Sequence, residues 1–255
     1  MILQNKICIV TGAASGIGQA IAVDMAREGG RIIVCDINTE GLQETSKTIL
    51  GEGGIVRSRT CNITSQTEIA EMVDETIAAF GVIDVLVNCA GGSTDSCHLL
   101  DITEEMYDRT VNLNLKSVFL TMKAVIPHML NNKGGVILNV ASQAGRRGNE
   151  ATRPHYTAAK AGVLGLTRHA AKEFGPFGIR INAVAPGRCL TGERNRQIWK
   201  EREVLGTAAG ILESVALRRL STPEEQAKVI TFLCSDGASF ITGATLDVNG
   251  GETCI

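Results

Sequence analysis

Ile7-Cys-Ile-Val-Thr11-Gly-Ala-Ala-Ser15-Gly-Ile-Gly18 is a β-branched run that stops at a glycine-rich turn and passes straight into a helical spacing of apolar residues over about 16–28. A strand feeding a helix through so short a turn is the first half of a strand–helix–strand unit. The unit repeats. Similar runs recur at Arg31 to Cys35, Ile55 to Cys61, Ile83 to Val87, Val136 to Val140, Ile179 to Val184 and Thr245 to Val248, which with the first suggests seven strands. Val85-Leu-Val and Val136-Ile-Leu lack polar alternation, as suits parallel strands covered on both faces. Helix starts are also legible: Ser65-Gln-Thr-Glu68 reads as a capping box for a helix ending at Phe80, and Thr222-Pro-Glu-Glu225 opens a helix reaching Cys234. No repeat, low-complexity tract or linker interrupts the series. The pattern therefore predicts one α/β domain over 1–255, a doubly wound sheet of about seven parallel strands with helices on both faces. Residues 188–220 break the rhythm with charges and glycines, and read as a substrate-binding loop or lid.

Composition removes several function classes. The 255 residues carry 25 Lys and Arg against 27 Asp and Glu, so the basic excess needed to hold a phosphate backbone is missing and no nucleic-acid partner is expected. Six Phe, two Tyr and one Trp are too few for base-stacking platforms. The first residues lack the basic start and cleavage site of a secretory signal, and no run approaches the roughly 18 apolar residues that span a bilayer, so the expectation is a cytoplasmic protein without a membrane partner. Eight scattered cysteines without Cys-x-x-Cys spacing read as free thiols, with no metal site. The 28 glycines are an excess, and some must serve tight turns or a close approach to something bound.

One such place is the opening turn. Glycines at 12, 16 and 18 let backbone N–H groups and a helix N-terminus face a pyrophosphate. The second strand then ends Ile33-Val-Cys-Asp36, where a carboxylate can accept hydrogen bonds from an adenosine ribose and would repel a 2′-phosphate. With no Arg or Lys in 12–18 or 35–38, NAD(H) is the expected cofactor rather than NADP(H). A second place is chemical. Tyr156 and Lys160 are four residues apart and share one helix face, so an ammonium beside the phenol would favour phenolate and suit Tyr156 to acid–base work. Ser142 closes the Val136 to Ala141 run, and Asn114 lies in Asn112-Leu-Asn-Leu-Lys-Ser.

Thr11-Gly-x-x-x-Gly-x-Gly18, Asn88-Cys-Ala-Gly91, Asn114, Ser142, Tyr156-x-x-x-Lys160, Pro186-Gly187 and Gly250-Gly251 occur in the order of one family, and the whole chain resembles a short-chain dehydrogenase/reductase of the classical type, with its Rossmann-type sheet. The resemblance implies hydride transfer between a secondary alcohol or ketone and a nicotinamide, no metal, and a homotetramer (or dimer). It implies that Tyr156 is the general acid/base, that Ser142 polarises the substrate oxygen, and that Lys160 binds the nicotinamide ribose. Asn114 would hold a relay water; the rival Asn112 fits the family's following residues less well. Gly12, Ser15, Gly16, Ile17, Gly18, Asn62, Ile63, Asn88, Ala90, Gly91, Pro186, Gly187 and Thr191 would contact the cofactor. Two positions depart from the pattern. Asn62 stands where the family has Asp, its amide oxygen being expected to accept from the adenine amino group, and Cys89 replaces an Asn.

For the substrate, Arg146, Arg147, Arg153 and His155 lie between Ser142 and Tyr156 against one Glu150, and Arg188, Arg194, Arg196, Lys200 and Arg202 follow in 188–202. Arginines suit carboxylate, sulfonate or phosphate, so a small anionic or acyl-carrier substrate is one hypothesis, with Arg153 and Arg196 as candidates; arginines on solvated loops or in subunit contacts are the plainer reading. The competing functions are a 3-oxoacyl-carrier-protein reductase, whose usual NADPH Asp36 disfavours, and a dinucleotide-sensing scaffold, which would not need Ser142, Tyr156 and Lys160.

Overall fold

The computed structural model describes residues 1–92, 98–148 and 153–254. Strands and helices alternate: β1 (Ile7–Thr11), α1 (Gly16–Arg27), β2 (Arg31–Asp36), α2 (Thr39–Gly51), β3 (Ile55–Thr60), α3 (Gln66–Phe80) and β4 (Val85–Asn88) form the first half. The second comprises α4 (Glu104–Val111), α5 (Ser117–Asn131), β5 (Gly135–Val140), α6 (Pro154–Phe174), β6 (Ile179–Pro186), α7 (Gly192–Val204), α8 (Ala208–Glu213), α9 (Pro223–Cys234) and β7 (Thr245–Val248). The strands make one seven-stranded sheet in the order β3-β2-β1-β4-β5-β6-β7, every neighbouring pair parallel. The chain winds outward to β3 and then returns to the other side of β1. A crevice therefore opens beyond the C-terminal ends of β1 and β4, where such sheets bind ligands.

Alternate side chains of each central strand enter different cores, as the two-residue period of a strand requires. Ile9, Ile33, Leu86, Ile137 and Ile181 pack with α3, α5 and α6; Val10, Ile32, Val87, Leu138 and Val184 pack with α1, α2 and α9. This is why the central runs are apolar throughout. The edge strand β3 is partly exposed, and its Arg59 is held by Glu71 and Glu75, which blunts the edge against further pairing.

Two boundaries and one capping reading need correction. β4 begins at Val85 and β6 continues to Pro186. Ser65 caps α3 by accepting from the Glu68 N–H, but the Glu68 carboxylate reaches back to the Asn62 N–H, so that capping box is half made; the Thr222–Glu225 box is complete. Residues 188–220 are not an unstructured loop, because they contain α7 and α8. Helix α7 lacks an apolar stripe in its sequence and shows its described charges, those of 196–203, to solvent, so no periodicity marks it.

Between β4, β5, α5 and α6 lies a closed polar network. Asn88 Nδ2 donates to Asn139 Oδ1 at 2.9 Å, Asn139 Nδ2 to Thr167 Oγ1 at 3.0 Å, and Thr121 Oγ1 to Asn88 Oδ1 at 2.7 Å. Asn139 has no exposed surface, so truncating it leaves buried donors and acceptors unpaired. Asn139→Ala should cost about 2–4 kcal/mol, or roughly 5–10 °C in Tm, by thermal denaturation. A change under about 1 °C would show that the network adds nothing.

Candidate active site

The crevice holds a cavity of about 570 Å³ running from Asp36 to Tyr156. Its floor is the turn after β1. Gly12 has φ +70°, and a Cβ there would stand 2.6 Å from the Ala90 Cα; a Cβ on Gly18 would collide with the Gly12 carbonyl. Those two glycines are thus demanded by the chain's own packing, whereas Gly16 (φ +57°) faces Thr191 across the cavity. Ser15 makes no side-chain cap on α1 and the first turn carries no acid, so the helix's free N–H groups are left to an anion. Ser15, Gly16, Ile17 and Gly18 all line the cavity, and the cradle fits a pyrophosphate.

At the end of β2 the Asp36 carboxylate accepts from the Ala14 N–H (3.2 Å) and the Asn38 N–H (3.0 Å), which fixes it at the cavity wall. Among the described lining residues Lys160 is the single cation, and it lies at the other end. Asn62 and Ile63 line the adenosine end, but the expected role of the Asn62 oxygen is corrected. That oxygen already accepts from the Thr64 N–H (3.0 Å) and Oγ1–H (2.8 Å), which fills it, so Asn62 has its amide N–H groups to offer.

The Asn88-Cys-Ala-Gly turn is pinned by Thr11, whose Oγ1 accepts from the N–H of Cys89 (3.1 Å) and of Ala90 (3.2 Å). Backbone groups make both bonds, so Cys89 replaces Asn without loosening the turn. Ala90 and Gly91 line the cavity; the Asn88 side chain does not, because it belongs to the core network. Asn114 sits in a π-helical turn, Asn112–Lys116, of the kind often found at functional sites. Its side chain bonds both backbone groups of Gly92 and the Thr110 carbonyl, which uses both amide N–H groups and leaves one lone pair on Oδ1. A Cβ on Gly91 would lie 2.7 Å from Asn114 Oδ1 and 3.4 Å from Lys160 Nζ, so the three positions meet.

Ser142, Tyr156 and Lys160 converge at the far end. Ser142 opens the short turn after β5, accepts from the Ala144 N–H (3.1 Å) and hydrogen-bonds the Tyr156 phenol. Lys160 is buried one turn along α6; its Nζ donates to the Val140 carbonyl at 2.8 Å and lies 5.8 Å from the Tyr156 ring centroid. Burial raises the phenol's pKa, and the Ser142 hydrogen bond and the Arg153 charge oppose it. Burial also pulls the Lys160 ammonium down to about 8. Arg153, at the N-cap of α6, thus adds its charge to that of Lys160, whose ammonium lies over the Tyr156 ring as the i,i+4 spacing suggests.

Three of the seven arginines expected near a substrate are paired elsewhere. Arg146 forks onto Asp247, and Arg147 and Arg188 both meet Glu252. Arg196 is exposed on α7 and outside the lining. Glu150 and the Arg194 side chain lie outside the described residues. Pro186, Gly187 and Thr191 line the cavity together with Leu113, Cys89 and Cys189, and Cys61 lines its adenosine end beside Asn62. Sequence reading missed Leu113 and those three cysteines as lining residues, since apolar or thiol side chains beside a motif carry no signal of their own. The described cysteines are free, and Cys97 lies outside the described residues. Among the described residues no group of three or more His, Cys, Asp or Glu is placed to hold a metal. No described helix is long and apolar enough to cross a membrane.

The sequence model of the family described as enoyl-(acyl carrier protein) reductase matches residues 12–253. A 3-oxoacyl-[acyl-carrier-protein] reductase FabG of Thermotoga maritima is 41% identical over 98% of this chain and 99% of its own. Dehydrogenase/reductase SDR family member 4 of Homo sapiens is 34% identical over 98% and 88%. The solved structure of levodione reductase superposes with a TM-score of 0.92 at 31% identity, covering 98% of each chain. Fold and relatives together define an oxidoreductase that acts on CH–OH groups with a nicotinamide dinucleotide. The chain belongs to the classical short-chain dehydrogenase/reductase family.

The buried lysine has a stability signature. Below about pH 8 it is charged in both folded and unfolded states, and the folded state bears the full cost of burying that charge. Between about 8 and 10.5 the folded state releases its proton first, so the cost lifts as pH rises. In chemical denaturation, Lys160→Met should gain on wild type at pH 7 and lose about 3 kcal/mol of that gain by pH 10.5. A pH-independent difference would contradict the assignment; Tyr156 titrates in both proteins and drops out.

Proposed function

We propose that the protein is an NAD(H)-dependent oxidoreductase interconverting a secondary alcohol and a ketone, with Tyr156 as general acid/base. The observation that carries this is one cavity bounded by the Asp36 carboxylate at one end and by the Ser142–Tyr156 hydrogen bond with buried Lys160 at the other. Asp36 supports NAD over NADP: no lining cation stands near it, and Arg59 on the neighbouring strand is engaged by Glu71 and Glu75. Gly12, Ser15, Gly16, Ile17, Gly18, Asp36, Asn62, Ile63, Ala90, Gly91, Pro186, Gly187 and Thr191 would hold the dinucleotide. When bound, its nicotinamide accepts or supplies the hydride.

The chain's own work is proton handling. In oxidation, Tyr156 takes the hydroxyl proton as the carbon loses hydride, and Ser142 steadies the oxygen; in reduction Tyr156 returns the proton. Lys160, titrating near 8, exchanges protons close to working pH. Asn114 orders the strip beside Lys160 and would hold the water that relays its protons. Arg153 lowers the phenol's pKa and remains available to an anionic substituent on the substrate. The 188–220 segment acts as the lid. The family resemblance implies a cytoplasmic homotetramer or dimer.

A second reading, reduction of 3-oxoacyl thioesters, is favoured by the 41% identity to the Thermotoga maritima reductase. A panel of ketones and acetoacetyl thioesters with NADH and NADPH, and of alcohols with NAD⁺ and NADP⁺, separates the two by absorbance. Turnover should be faster with NADH, and Tyr156→Phe should cut it about 10²- to 10⁴-fold with NADH affinity within threefold. Near-normal turnover in Tyr156→Phe sinks the mechanism. Preference for NADPH sinks the reading of Asp36.

A further inference from the structure

Glu252, in the segment after β7, carries a carboxylate whose side chain is only 1% exposed. Oε1 accepts from Arg188 Nε at 3.2 Å and from Arg147 Nη2 at 3.4 Å; Oε2 accepts from Gln143 Nε2 at 2.9 Å. These donors come from two loops at the reactive end, those that follow the neighbouring strands β5 and β6. Gln143 and Arg147 follow Ser142, and Arg188 follows Gly187 on the strip that leads to Thr191. Both loops are also tied to their surroundings. Arg146 forks onto Asp247 of β7 (3.0 and 2.7 Å), and the Arg188 carbonyl accepts from the N–H and Oγ–H of Ser221 (both 3.1 Å). Below Gly187 the same C-terminal segment packs so closely that a Cβ there would lie 2.7 Å from the Asn249 Cα.

A buried carboxylate is a poor device for stability alone, since an apolar residue of similar volume fills the space without removing a charge from water. What an apolar side chain cannot do is fix two loops at set directions and separation, which short hydrogen bonds from charged and amide donors do. We infer that Glu252 is a positioning residue: it ties the Ser142 loop to the Gly187–Thr191 strip and thereby sets the gap in which the substrate oxygen meets Ser142 and Tyr156. The inference rests on the function proposed above. Small misplacements of reacting groups are costly in rate, and the gap lies at the end of the cavity away from Asp36 and the glycine turn. Gly187 and Thr191 would also touch the dinucleotide, so loosening the clamp should slow turnover by a much larger factor than it weakens dinucleotide binding.

Glu252→Gln keeps the shape and removes the charge, and Arg188→Gln releases the strip alone. In the full-length protein, with sites counted by NADH titration and kcat taken at saturating cofactor, each variant should lower kcat at least tenfold and raise the NADH Kd by a smaller factor. Amide hydrogen exchange should quicken at least tenfold in 143–147 and 187–191 and little elsewhere. If Glu252→Gln does not fold, Arg188→Gln carries the same test. A kcat per site within twofold of wild type, or faster exchange spread over the whole chain, overturns the inference, the latter being the mark of lost stability alone. If wild type reduces no carbonyl compound of the panel, the functional reading has failed, and the exchange pattern by itself decides the clamp.

Discussion

The close approach of the first turn to the fourth strand governs the rest of the molecule. With a Gly12 Cβ barred by the Ala90 Cα, the backbone after β1 lies directly against the backbone after β4. That contact joins the two halves of the sheet at the point where the chain reverses its winding, and it aims the uncapped end of α1 into the crevice. Thr11 secures it from beneath, its hydroxyl accepting from two successive N–H groups. Phosphate cradle and reactive turn are consequences of one steric condition, which only glycine meets.

A second constraint is electrostatic. Tyr156 and Lys160 share one shortage of solvent, and burial pushes both toward their neutral forms: the phenol's pKa goes up and the ammonium's comes down. Near neutral pH the phenol therefore keeps its proton while the ammonium, with a pKa of about 8, stands close to releasing one, which suits a site that must pass a proton in either direction. Arg153 and the Ser142 hydroxyl bias the phenol back toward ionisation, and both act from outside the i,i+4 pair.

Fold and motif positions were largely legible in the sequence because each rests on local rules. Strand runs, helix caps and the glycine turn are decided within a few residues, and the strands appear where the runs predict, with ends shifted by one or two positions. Side-chain purposes were less legible. Asn88 sits in a cofactor motif yet spends its amide on Asn139, 51 residues away. The Asn62 oxygen is claimed two residues on by Thr64, an Asx turn open to a closer reading of Asn62-Ile-Thr64. Helix α7 escaped notice because a helix with no buried stripe has no period to read.

The arginines show why local charge counting fails at the substrate end. Residues 146–188 look like a basic rim in sequence, but the carboxylates that neutralise Arg146, Arg147 and Arg188 are 101, 105 and 64 positions away, in the last strand and the segment after it. Parallel topology brings that distant segment beside the C-terminal ends of β5 and β6, where the Ser142 loop and the Gly187 strip emerge. The charges that looked like a substrate's counter-ions are thereby turned into fasteners of the walls around it. Arg153 is the exception: at the N-cap of the helix that carries Tyr156, it adds to the Ser142 hydrogen bond in opposing the rise that burial imposes on the phenol, so position in the fold and not the number of nearby arginines decides which charge the site feels.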